Sequence, residues 1–87
     1  MSKVRLYGFE ECPFCEELKK MYDDNHISYH YIDINDEKND KEVNKIMELG
    51  KSESVPIILV NKTILSPENS FNSIKEAYLL TNRFLSQ

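Results

Sequence analysis

Glycine and proline are scarce, two and three among 87 residues. Long flexible linkers are therefore not expected, and residues 1–87 read as a single domain. Long apolar runs are missing too. None approaches the roughly 20 residues of a membrane-spanning helix, so no membrane association is expected. The opening Met1-Ser2-Lys3-Val4 lacks the apolar core of a secretory leader, which makes the cytoplasm the expected compartment. Basic residues are outnumbered, eleven Lys plus Arg against fifteen Asp plus Glu, for a formal net charge of −4. Nucleic-acid binding normally needs a basic patch. Here the only basic doublet is Lys19-Lys20, which reads as a solvated helix face.

Cysteine is also rare, but the two present are placed together. Cys12-Pro13-Phe14-Cys15 follows the short apolar run Val4-Arg5-Leu6-Tyr7-Gly8 and opens a segment with helical spacing, Phe14, Leu18, Met21 and Tyr22. A strand, a tight turn, two cysteines two residues apart and then a helix make a redox site. Pro13 suits the first helical turn, where a missing N–H is no loss. Cys12 then sits just outside the helix N-terminus, where unpaired N–H groups and the helix dipole favour a sulfur anion. A thiolate attacks disulfides, and Cys15, one turn on, is placed to displace the product from the mixed disulfide. In a reducing compartment such a pair is a cycling dithiol rather than a structural bridge. The competing readings are a zinc half-site and two unrelated buried cysteines. Zinc usually takes four ligands, and only His26 and His30 add soft candidates, both of them expected to be structural.

The rest of the chain alternates between strand and helix signals. Residues 3–7 read as a buried strand, and the first helix should stop near Asp23-Asp24-Asn25. Residues 27–34, rich in β-branched and aromatic side chains, read as a second strand, parallel to the first. After the polar stretch 35–40 a helical period returns with Val43, Ile46, Met47 and Leu49, ending at Gly50. Val55-Pro56-Ile57-Ile58-Leu59-Val60 reads as a strand buried on both faces, with its proline at the start. Thr63-Ile64-Leu65 is a short edge strand. A last helix is expected after a cap at Ser66 or Asn69, with Phe71, Ile74, Ala77, Tyr78, Leu79 or Leu80, and Phe84 on its inner side. The five tyrosines are expected to fill the core with their hydroxyls reaching the surface. The order β-α-β-α-β-β-α predicts an α/β fold, a mixed sheet with helices on both faces.

On this framework Cys12-Pro13-Phe14-Cys15 and Ser54-Val55-Pro56 resemble the marks of a dithiol glutaredoxin. The resemblance implies a thioredoxin-like fold with a four-stranded sheet flanked by three helices. It also implies thiol–disulfide oxidoreductase activity, with Cys12 and Cys15 catalytic and Pro13 and Phe14 forming the active-site turn. Phe14 stands where the family usually has tyrosine. Ser54-Val55-Pro56 matches the family's Thr-Val-Pro, whose proline is cis and faces the dithiol. A cis X-Pro bond costs only about 0.5–1 kcal/mol over trans, and it lets Val55 offer backbone groups to an extended substrate. The resemblance further implies glutathione as co-substrate with no resident cofactor and no metal. It implies partners such as ribonucleotide reductase, and a monomer.

The glutathione-binding residues of the family are only partly matched. Phe9 stands where a lysine would meet the glycyl carboxylate, and Ser66-Pro67 stands for a Gly-Gly loop. Asn69-Ser70 replaces Thr-Asp at the expected start of the last helix, leaving their N–H groups as the candidate carboxylate site. Glu10, Glu11, Glu16 and Glu17 surround the dithiol. Each contributes on the order of 0.5 kcal/mol at about 8 Å, opposing anionic glutathione and attracting a basic partner. Two alternatives follow. One is a glutaredoxin-like redoxin reduced by thioredoxin reductase. The other is a module binding an iron–sulfur cluster through Cys12 and glutathione, which Pro13 disfavours.

Overall fold

A computed structural model describes residues 3–67 and 69–86. Strand β1 (Val4–Gly8) leads into helix α1 (Pro13–Asp24), then strand β2 (His30–Asp33). A 3-10 turn at Glu37–Asn39 precedes helix α2 (Asp40–Gly50), followed by strands β3 (Ile57–Val60) and β4 (Thr63–Leu65) and helix α3 (Ile74–Leu85). The sheet runs β2-β1-β3-β4, with β1 parallel to β2 and antiparallel to β3. The expected mixed sheet of four strands with three helices is present.

Alternation along the strands sorts side chains between two cores. Val4 and Leu6 point with Ile58 and Val60 toward Leu18 and Tyr22 of α1 and Ile74 and Ala77 of α3. Tyr7 and Ile57 point the other way, with Ile32, onto Val43 and Ile46 of α2. Ile57, Ile58 and Val60 are fully buried, as expected of a strand covered on both faces. The three helices present their apolar stripes at helical spacing, residues 15, 18 and 22, then 43 and 46, then 74, 77 and 81.

Several expectations need correction. β2 is shorter than residues 27–34, because its ladder opens where His30 meets Arg5, near the start of β1. Helix α3 begins at Ile74 rather than near Asn69, and its cap is Ser73, neither Ser66 nor Asn69. Ser73 Oγ accepts the Glu76 N–H at 3.1 Å, and the Glu76 carboxylate accepts the Asn72 N–H at 2.7 Å. Serine followed three residues later by glutamate is a helix-start signal that competes with the earlier polar cluster. Phe71 is buried but lies outside the helix, and Leu49 and Leu79 are exposed. Three tyrosine hydroxyls are internal rather than superficial, that of Tyr31 without a partner among the described residues. Tyr22 donates to Thr81 Oγ1 at 2.7 Å, because that hydroxyl is already committed to the Ala77 carbonyl at 2.8 Å. Tyr7 donates to Glu42 Oε2 at 2.5 Å, where Arg5 also binds through Nε and Nη2 at 2.9 and 2.7 Å.

Candidate active site

The end of β1 and the start of α1 converge on the two cysteines. The Cys12 N–H donates to the Phe9 carbonyl at 3.2 Å, closing the turn that follows Gly8. Cys12 is the N-cap of α1, in an extended conformation, and Pro13 occupies the first turn. Its Sγ accepts the Cys15 N–H at 3.2 Å, and its carbonyl accepts the Glu16 N–H at 3.0 Å. A sulfur thus takes the place of the oxygen that usually caps a helix. Both cysteines are unbridged; Cys12 is 4% exposed and Cys15 is sealed.

Cys15 lies directly over β1. A Cβ at Gly8 would stand 2.5 Å from Cys15 Sγ, 3.2 Å from its Cβ and 3.6 Å from Tyr31 Cε1. Glycine is required here by space, and the sequence reading missed it. Burial, followed by the hydrogen bond with Cys12, pushes the Cys15 thiol up to about 12, while Lys19 pulls weakly the other way. Lys19 sits one turn further along α1, 3.6 Å from the Tyr31 ring centre and 3.3 Å from Glu16 Oε1. Desolvation, with Asp33 the first of several nearby negative groups, likewise raises the Tyr31 hydroxyl to about 12.

Beside the dithiol turn, Phe14 projects into solvent, 60% exposed. It lines a groove of about 490 Å³ together with Ser54, Val55, Pro56, Pro67, Phe71, Asn72, Ser73 and Ile74. The Val55–Pro56 bond is cis. Phe14, Val55 and Pro56 are therefore brought together from distant parts of the chain. Asn69 and Ser70 are not at a helix start. The Asn69 amide donates to the carbonyls of Gly50 and Lys51 at 3.1 and 3.2 Å, bracing the loop against the end of α2. The Ser70 N–H donates to the Ser66 carbonyl at 2.9 Å, and its Oγ accepts the Ser66 N–H at 3.2 Å. The groove is instead finished by Phe71, Asn72 and Ser73, which precede α3 rather than lying within it.

A two-cysteine helix cap over a β2-β1-β3-β4 sheet defines the class, a protein of thioredoxin-like fold with a dithiol at the start of α1. The glutaredoxin family profile matches residues 4–65, which span the dithiol, the Val-Pro segment and all four strands. The chain belongs to the glutaredoxin family, a family of thiol–disulfide oxidoreductases. Among solved structures it is similar to a wheat glutaredoxin, at TM-score 0.72 and 19% identity, covering 98% of this chain and 80% of that one. It is similar also to a glutaredoxin from Archaeoglobus fulgidus, at TM-score 0.69 and 23% identity over 92% and 87% of the two chains. A buckwheat glutaredoxin–glutathione complex superposes at TM-score 0.71 and 13% identity, covering 97% of this chain and 73% of that one. At these low identities it is the TM-scores that establish a shared fold. No curated protein matches the chain in sequence. Among the described residues, no helix is long and apolar enough to cross a membrane.

Proposed function

We propose that this protein reduces disulfides in polypeptides or in glutathione mixed disulfides, with Cys12 as nucleophile and Cys15 as resolving thiol. The carrying observation is the Cys12 Sγ at the α1 N-cap, receiving the Cys15 N–H at 3.2 Å while the Cys15 side chain is sealed behind it. The helix start favours negative charge on the first sulfur. In the first step Cys12 forms a bond to one substrate sulfur and expels the other as a thiolate. Cys15 then gives up its proton and attacks Cys12 Sγ, releasing the second substrate thiol. The dithiol loses two electrons and two protons, and the substrate disulfide gains them. Val55 and Pro56 support the role of a substrate-facing wall because they share the groove with Phe14.

The oxidised pair needs an external donor. Glutathione serves if the family's usual route applies, and the buckwheat protein is a relative seen with that ligand. A protein donor such as thioredoxin reductase is the second reading, favoured by one observation. Of the two N–H groups that are candidates for a glutathione carboxylate, that of Ser70 is taken by the Ser66 carbonyl, and the Asn69 side chain is tied to the end of α2 rather than to a helix start. The test is turnover of a glutathione mixed disulfide by the wild type, Cys12→Ser and Cys15→Ser, with each donor in turn. Cys12→Ser is expected to lose activity by at least about a hundredfold. Cys15→Ser is expected to keep part of the activity with glutathione as donor and lose it with a reductase. Equal rates for all three proteins would overturn the assignment.

A further inference from the structure

The surface around Cys12 has two unlike sides. Among the described residues, the groove of Phe14, Val55, Pro56, Phe71 and Ile74 has no charged side chain in its lining. On the other side, a depression of about 290 Å³ is lined by Phe9, Glu10, Glu11, Asp33 and Asn35, three carboxylates with no cation among the described residues. Cys12 and Pro13 are all that separate the two along the chain. Glu16, in the first turn of α1, acts with Glu10 and Asp33 on the same Tyr31 hydroxyl. The cations nearest in the chain are Arg5, held by Glu42, and Lys19 and Lys20. Lys19 is already engaged by Glu16 and by the Tyr31 ring.

Resting on the dithiol function above, we propose that the site selects disulfides of polypeptides whose reacting cysteine carries Lys or Arg on one side and an apolar residue on the other. The basic side chain enters the depression of Glu10, Glu11 and Asp33, and the apolar one lies against Phe14 and Phe71. Low-dielectric walls lined by one sign of charge concentrate the opposite charge and speed its encounter, an effect that salt removes. A disulfide flanked by carboxylates meets repulsion and has no lysine in either groove to receive it. Attack, resolution and electron balance are as for any disulfide at this dithiol.

The test uses the reduced full-length protein and cysteine peptides activated as mixed disulfides with neutral 2-thiopyridine. Thiopyridone release is followed in single turnover. One peptide has Lys before and Leu after the cysteine, a second has Glu for Lys, and a third has Ser for Leu. At low ionic strength the Lys peptide is expected to outpace the Glu peptide by roughly tenfold, with the gap closing in about 0.5 M salt. The same ratio should fall to about threefold or less in Glu10→Gln/Glu11→Gln, whose exposed amides keep the original shape. Exchanging Leu for Ser should slow the wild type severalfold. Equal rates for the Lys and Glu peptides, or a ratio untouched by the double variant, would overturn the charge selection alone. Equal reaction by Cys12→Ser would instead sink the dithiol function beneath it.

Discussion

Gly8 carries a role at the single-residue scale that no local pattern announces. It ends β1 beneath the first turn of α1, and Cys15 fills the space a methyl group would need. The nearest atom, Sγ, could rotate away, but Cys15 Cβ at 3.2 Å is fixed to the helix. Gly8→Ala is therefore expected to destabilise the fold by about 1–3 kcal/mol. It should also misplace the resolving thiol, so that the Cys12 mixed disulfide accumulates. Urea denaturation and mass spectrometry of quenched reactions measure the two effects. An unshifted midpoint with no trapped intermediate would show that this contact is slack. The dithiol itself was legible from four residues, because a helix cap is made by near neighbours. The clearance above Gly8 was not, because it depends on the distance between two elements.

At the element scale, the loop between β4 and α3 is where sequence and structure part most. Ser66, Asn69 and Ser70 all have the chemistry of helix caps, yet they bond to each other and to the end of α2. Ser66 is buried, and its Oγ donates to the Gly50 carbonyl at 2.9 Å. A Cβ at Gly50 would stand 3.2 Å from Ile64 Cγ2, tight against β4, while meeting Ser66 only at ordinary contact distance. The helix starts later, at the Ser73–Glu76 pair. Ser73→Ala should cost about 1 kcal/mol and fray the first turn of α3. Because Ser73 also lines the groove beside Phe14, slower reaction with peptide disulfides is expected alongside the loss of stability. Amide hydrogen exchange at Glu76 and Ala77 reports the fraying. Unchanged protection there would refute the capping role.

Across the whole molecule, different buried groups respond at the two ends of the pH range. Burial opposes charge on Glu42, but hydrogen bonds from Tyr7 and Arg5 outweigh it and hold the carboxyl below its ordinary 4.5. A depressed carboxyl stabilises the fold above its unfolded value, and that contribution fades as pH falls through the folded one. Glu42→Gln should therefore lose about 1 kcal/mol at pH 7, with the deficit shrinking at pH 3.5. A deficit constant with pH in paired denaturant titrations would contradict this. On the alkaline side burial raises Cys15 and Tyr7, each to about 12. Both groups deprotonate first in the unfolded chain, so the stability they lend is intact near neutrality and drains away between about pH 9 and 12.

The amino-acid order alone was enough for the element sequence, the Cys12–Cys15 dithiol and the acidic surround. Each of these is written in side-chain periodicity, turn residues or charge within one turn or one strand. Which polar residues cap, brace or line the groove was decided only in three dimensions. Asn69 braces and Ser73 caps because of where the end of α2 and β4 lie. Tyr7 and Tyr22 turn their hydroxyls inward because Glu42 and Thr81 arrive from helices 35 and 59 residues away in the chain. A hydrogen bond or a clearance between distant elements depends on how they pack, and no short stretch of sequence holds that information.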